Sequence, residues 1–141
     1  MQIDQLKLLI PDIAQRKPRA STMTIQFVPL AASAVQSQQI GTNSEDTDFL
    51  VTELSGVATA ADNTTFLADV PVLLTLQWGT SGLMVTDTGT HFDNLFGSQG
   101  LPRELPAPIV IPARTQFVIQ ATNFAATAYN VRITFMGVRI Q

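Results

Sequence analysis

The sequence predicts an all-β sandwich, and three observations carry that expectation. From Met23 onward, apolar and polar residues alternate with a period of two in several separate stretches. Eight prolines and eight glycines are spread along the chain, as many short strands with tight connections require. No stretch after residue 22 shows a convincing helical period. With 141 residues there is length for one real core and too little for two ordinary domains. The sequence therefore divides into an N-terminal arm over residues 1–22 and one β-sandwich domain over 23–141.

Within the arm, Ile3, Leu6, Ile10 and Ile13 have helical spacing, but Pro11 breaks a continuous helix and biases Ile10 toward extended geometry. A basic tail follows, with Arg16, Lys17, Pro18 and Arg19. A segment this short and apolar must dock on something, either its own sandwich or a neighbour. The first strand is then Met23, Ile25 and Phe27 against Thr24, Gln26 and Val28, ending at Pro29. Ala31 to Gln39 reads as a weak strand or an extended linker, and Asn43 to Asp48 as a polar loop. Phe49, Val51 and Glu53 alternate against Leu50, Thr52 and Leu54 up to Gly56, and Asp62-Asn63 marks a turn.

The longest strand runs from Val70 to Trp78, with Val70, Val72, Leu74, Leu76 and Trp78 on one face, so Trp78 is expected in the core. Pro71 suggests an edge or an entry bulge. Leu83–Val85 is a candidate short strand, and His91 to Gly100 reads as irregular. Prolines 102, 106, 108 and 112 leave only Ile109–Ile111 as a plausible strand in that region. Phe117, Ile119 and Ala121 alternate with Val118, Gln120 and Thr122, and Asn123 to Thr127 turns the chain. Tyr129, Val131, Ile133 and Phe135 form the last strand. Val138 and Ile140 fall out of phase with it, which predicts a bulge at Gly137.

Charge is sparse and sorted. Charged residues make up 13% of the chain, about half the roughly 25% usual for soluble domains. Solubility therefore rests on neutral polar groups, and such a surface is cheap to desolvate. No Lys or Arg occurs from Ala20 to Pro102, and the net charge is +2 over residues 1–22, −8 over 23–102 and +3 over 103–141. Two readings fit this partition: the ends fold back onto the acidic middle, or the chain meets charged partners in one register.

Chemistry finds little footing. His91 is the sole histidine, no G-x-S-x-G elbow accompanies it, and the absence of cysteine removes Cys-His catalysis, thiolate metal sites and disulfides. His91-x-Asp93 supplies one histidine where a sandwich metal site needs at least two. Glu45-Asp46-Thr47-Asp48 lacks the glycine and closing glutamate of a calcium loop. Trp78 and Tyr129 sit in apolar alternation, whereas a sugar-binding sandwich presents exposed aromatics. No Gly-rich loop opens a helix to cradle phosphate, and a net charge of −3 without a basic stripe gives nucleic acid little to hold. No apolar run has membrane-spanning length, and Asp4 and Lys7 interrupt the N-terminal apolar stretch, so neither a signal peptide nor a membrane partner is expected.

The C-terminal third carries a resemblance. Proline-rich Leu101–Pro112, then Phe117-Val118-Ile119-Gln120-Ala121-Thr122-Asn123, then Val131 through Ile140, is similar to the closing strands of small phage head proteins. In particular it resembles the jelly-roll cement, or decoration, proteins of tailed bacteriophages, over about a quarter of the chain. The resemblance implies a single jelly-roll-like antiparallel β-sandwich with an N-terminal arm, without catalytic residues, metal or cofactor. It further implies a structural virion protein on the outer capsid surface, assembled in the host cytoplasm. Its partners would be the major capsid protein and its own copies, as a dimer or trimer. The arm residues expected to bind a partner are Ile3, Leu6, Leu9, Ile10, Ile13, Arg16, Lys17 and Arg19. The alternative is a carbohydrate- or receptor-binding β-sandwich module of a phage fibre or baseplate.

Overall fold

Among the described residues, eight stretches are strands and one is a short helix: β1 (Pro18–Leu30), β2 (Gln36–Thr42), β3 (Phe49–Thr59), β4 (Val72–Trp78), β5 (Thr90–His91), α1 (Phe92–Phe96), β6 (Arg103–Ile111), β7 (Gln116–Asn123) and β8 (Tyr129–Ile140). The computed structural model describes residues 18–34, 36–67, 70–78, 90–96 and 101–140, without the side chains of Gln77, Trp78 and Ile140. The expectations for a core Trp78 side chain, for a strand at Leu83–Val85 and for arm residues before Pro18 fall outside that description.

The pairing is nested. β1 pairs with β8, β2 with β7, β3 with β6 and β4 with β5, every pair antiparallel. This is one long hairpin folded over on itself, and the folding also places β8 beside β3 and β7 beside β4. Two four-stranded sheets result, ordered β1-β8-β3-β6 and β2-β7-β4-β5. That strand order is a jelly roll.

Alternation decides what lies between the sheets. Ile25 and Phe27 of β1, Val72, Leu74 and Leu76 of β4, Phe117, Ile119 and Ala121 of β7, and Val131, Ile133 and Phe135 of β8 form one buried cluster. Phe117 and Phe135 join the two sheets edge to face, with centroids 5.2 Å apart and rings at 82°. Each buried Val, Leu, Ile or Phe among them contributes about 1.5–3 kcal/mol by leaving water. The helix α1 supplies Phe92 and Phe96, both buried with centroids 4.8 Å apart. Their four-residue spacing puts them on one face. They press on Gly56, where an added Cβ would lie 2.5 Å from the Phe96 ring.

Several elements depart from the sequence expectation. The irregular stretch after His91 contains α1, whose five residues are too few to establish a helical period. β1 begins at Pro18, so residues 18–22, read as arm, pair with β8 from Pro18↔Ile140 to Thr22↔Met136. β3 continues past Gly56 to Thr59. β6 spans Arg103–Ile111 despite Pro106 and Pro108, because it is the edge of its sheet and proline's missing N–H need not face a neighbour. Its register against β3 jumps from Val51↔Ile109 to Glu53↔Glu104, leaving Leu105 to Pro108 as the excess.

The bulge near Gly137 exists, but on the facing strand. β8 pairs with β1 without interruption from Pro18↔Ile140 to Phe27↔Val131. Against β3, however, Gly137 faces Val51 and Met136 faces Glu53, so Thr52 is the extra residue. β3 therefore changes phase: Phe49 and Val51 point inward before the bulge, Leu54 and Ala58 after it. β8 keeps its phase, so Arg139, not Val138, follows Phe135 inward and is 4% exposed. Gly137 lets β3 come this close, since a Cβ there would sit 1.8 Å from the Leu50 carbonyl oxygen. Replacing Gly137 by Ala is expected to cost about 3 kcal/mol or more, because main chain rather than a flexible side chain must move. A urea midpoint matching that of the parent protein would refute this account of the bulge.

Candidate interaction surfaces

One end of the sandwich is closed by a polar clasp built around Arg139 and Asn43. The Arg139 Nη1 donates to Asn43 Oδ1 at 2.6 Å and to the Thr47 carbonyl at 3.4 Å, and its Nε donates to Ser21 Oγ at 3.0 Å. The guanidinium carbon lies 4.9 Å from the Phe49 ring centroid, and Glu45 Oε2 is 3.6 Å from Nε. Asn43, fully buried, donates through Nδ2 to the carbonyls of Thr47, Ile111 and Pro112 at 3.0–3.2 Å. These bonds fasten the β2–β3 loop to the β6–β7 loop and to the free ends of β1 and β8.

The acidic loop Glu45-Asp46-Thr47-Asp48 is consumed by the same clasp. Glu45 accepts from Arg19, Asp46 from Arg114, and Asp48 Oδ1 from the Ala113 amide at 2.9 Å. The charge partition is thus met within the domain at these positions: Arg19, Arg114 and Arg139 come from the two ends of the chain, and Glu45 and Asp46 from the middle. Arg19 accordingly leaves the set of arm residues, being part of β1 with its guanidinium on Glu45. The expected contacts of Ile3, Leu6, Leu9, Ile10, Ile13, Arg16 and Lys17 fall on residues outside those described. His91 is exposed on β5, and Asp93 Oδ2 accepts from the Val70 amide at 3.3 Å. Among the described residues no group of three or more His, Cys, Asp and Glu is placed to hold a metal ion, and no helix is long and apolar enough to cross a membrane.

Among the described residues, the outward face of the β2-β7-β4-β5 sheet is nearly free of charge. Burial of Phe117, Ile119 and Ala121 turns Val118, Gln120 and Thr122 outward, and burial of Val72, Leu74 and Leu76 does the same for Leu73 and Thr75. The register aligns these in rows: Gln36, Thr122, Leu73 and His91; then Gln38, Gln120 and Thr75; then Ile40 and Val118. Gln120 Oε1 accepts from Gln36 Nε2 at 3.0 Å and Thr75 Oγ1 at 3.2 Å. His91 alone among these can ionise. A face of amides, hydroxyls and aliphatic groups loses less hydration energy when covered than a charged one. The outward face of the other sheet differs, since it carries Glu53 and Arg132.

At the end opposite the clasp, the loops after β1, β3 and β7 are tied by main-chain bonds. Ser33 N donates to Ala125 O at 2.8 Å, Ala34 N to Asn123 O at 2.8 Å and Phe124 N to Pro71 O at 2.9 Å. This end presents Phe66 and Phe124, 63% and 54% exposed. Asp62 organises the β3–β4 turn by accepting from Thr64 N, Thr65 N and Thr65 Oγ1 at 2.6–2.9 Å. The side-chain bond from Thr65, then the two main-chain bonds, hold its carboxyl down to about 2.

No protein-family model and no curated protein matches this sequence. Among solved structures, the chain is similar to the VP2 subviral particle of infectious bursal disease virus, with 14% identity and a TM-score of 0.37 over 88% of this chain and 39% of that one. It is also similar to the Gx strain of the same virus, with 16% identity and a TM-score of 0.35 over 88% and 40%. This chain spans about two fifths of the length of those chains. The fold assignment rests on the strand order.

The clasp predicts a graded mutational response. Arg139→Met is expected to cost about 3 kcal/mol or more, since it strips a buried donor from Asn43 Oδ1 and Ser21 Oγ. Arg114→Ala, which removes an ion pair with Asp46 whose two side chains are each 74% exposed, should cost under about 0.5 kcal/mol. Equal urea midpoints for the two variants would contradict this ranking. The turn at Asp62 predicts a pH response. Its folded pKa is lowered, so its contribution is present above about 4 and is lost as pH falls toward 2. The carboxyl carbon shift of Asp62 should titrate near 2; a midpoint near 4 would remove the Thr64 and Thr65 bonds from the account.

Proposed function

We propose that the chain is a non-enzymatic structural protein of a virion, which binds the outer capsid surface and cements neighbouring major capsid subunits. The observation that carries this reading is the outward face of the β2-β7-β4-β5 sheet, whose described side chains are nearly all uncharged, on a jelly roll whose β2–β3 loop carboxylates are spent on closing the domain. A surface made to be covered carries little charge at its centre, and the described side chains of this face carry little. Its rigidity comes from the sandwich beneath it, so little conformational entropy is lost on docking. The same face serves association with further copies of the chain, as a dimer or trimer. The resemblance of the closing strands to tailed-phage cement proteins supports the capsid as the surface bound.

A second reading, a carbohydrate- or receptor-binding module, is favoured by one observation: the exposed Phe66 and Phe124 on neighbouring loops. One experiment separates the two. Shells lacking the protein are incubated with the parent chain, with Gln38→Glu/Ile40→Lys, and with Phe66→Ala/Phe124→Ala, then sedimented. Loss of co-sedimentation only for the first variant, with unchanged circular dichroism, supports cementing through the sheet. Undiminished binding by that variant, or monosaccharide binding abolished in the phenylalanine variant, would overturn it.

A further inference from the structure

An unprotected sheet edge is a template for another strand. Among the described residues the two sheets end in β1, β6, β2 and β5, and three of these carry obstacles. β5 has two residues, β6 holds Glu104, Pro106 and Pro108, and β1 holds Arg19 with Pro18 and Pro29. β2 has seven residues with neither proline nor charge. Its Ile40 is 55% exposed. The Asn43 amide donates to the Thr115 carbonyl at 2.8 Å, one step beyond the Thr42↔Gln116 pair. Hydrogen-bonded pairs alternate along an antiparallel ladder. Ser37, Gln39 and Gly41 therefore turn their main-chain groups to β7, and Gln36, Gln38, Ile40 and Thr42 turn theirs to the outer edge.

We propose that β2 pairs antiparallel with β2 of a second copy across a two-fold axis at Gln39, joining two β2-β7-β4-β5 sheets edge to edge. In that register Gln36 faces Thr42 and Gln38 faces Ile40 of the other copy. Every residue that turns its N–H and C=O outward thus meets another that does the same. A slip of two residues leaves Gln36 or Thr42 without a mate, and a slip of one sets edge-turned groups against groups already bonded to β7. A second copy suits this edge because β2 is uncharged, so no like charges meet across the axis. An isologous contact of this kind also closes as a dimer. It rests on the proposed association of copies for its partner, and it lies at the margin of the neutral face, leaving that face open to a shell. A strand pair of this length buries less than a standard interface, so dimerisation depends on concentration.

The chain has no cysteine, so single cysteines report the contact in free protein, without shells. Gln39 is exposed and would face its own mate as a non-hydrogen-bonded pair with Cα atoms about 4.5 Å apart, a span a disulfide bridges. Gln36 lies about 20 Å from its mate in the same register. At equal concentration, Gln39→Cys should form a disulfide-linked dimer at least about tenfold faster than Gln36→Cys. Equal rates, no dimer, or faster linking through Thr22→Cys, Thr24→Cys or Gln26→Cys would each overturn the proposal, the last by moving the contact to β1. In the cysteine-free chain, sedimentation equilibrium should show a concentration-dependent dimer that Ile40→Pro abolishes. The Ile40 amide faces the outer edge, so proline there spares the ladder to β7 and native circular dichroism is expected. Gln38→Lys tests the same edge should the proline variant not fold. A dimer undiminished in the folded variants would refute the pairing. Shells bound by a parent chain that stays monomeric would refute the pairing alone and leave the capsid reading intact.

Discussion

The ladder between β1 and β8 joins the two ends of the described chain, and the other features of the molecule hang on it. Pro18 faces Ile140 and Phe27 faces Val131, so residues more than a hundred positions apart must meet before either strand has a neighbour on that side. Closing such a loop costs entropy that no local contact repays, and folds of this contact order are slow for that reason. β8 is in turn the partner of β3, and β3 of β6. A roll whose outer turn fails to form therefore loses one of its two sheets, and the Phe117–Phe135 contact that joins the layers goes with it.

The bulge at Thr52 is the second constraint, and it acts by shifting phase. A strand that alternates strictly presents one residue set to the core along its whole length. Inserting one residue in β3 lets Phe49 and Val51 face inward at the clasp end while Leu54 and Ala58 face inward further along. β8 makes no matching shift, so its inward series runs on to Arg139, where the core gives way to loops. A long cation suits that place: its stem and plane lie against Phe49 while its donors reach Ser21, Asn43 and the Thr47 carbonyl.

Much of this was legible in the sequence, and the misses have physical causes. Period-two alternation located the cores of β1, β3, β4, β7 and β8, because half-buried strands leave that signature directly. The sequence signals only Ile109–Ile111 of β6 because proline opposes a central strand, and only topology reveals that β6 lies at an edge. The helix α1 is below the length at which a period can be recognised. The disturbance at Gly137 was visible, but glycine marked the residue that is approached rather than the residue that bulges. Arg139 could have been placed by extending Val131, Ile133 and Phe135 by two more steps of two. Asn43 could not, since its role depends on two loops meeting that are far apart in sequence. Likewise the uncharged rows of the β2-β7-β4-β5 sheet exist only once the register sets Gln38 beside Gln120 and Gln120 beside Thr75.

The sorted charges take on a different meaning in that light. Cations at the ends of the chain and anions in its middle suit either an external partner or closure within the domain, and Arg19, Arg114 and Arg139 meet Glu45 and Asp46 in their own domain. Most of these pairs are solvent-exposed and contribute little energy singly. Their positions still matter, because all three arginines fasten the same end, where the chain enters and leaves the roll. Concentrating charge there keeps it away from the outward face of the β2-β7-β4-β5 sheet, where a buried unpaired charge would oppose any close packing. The low charge content of the chain and the neutrality of that face are thus two results of one allocation.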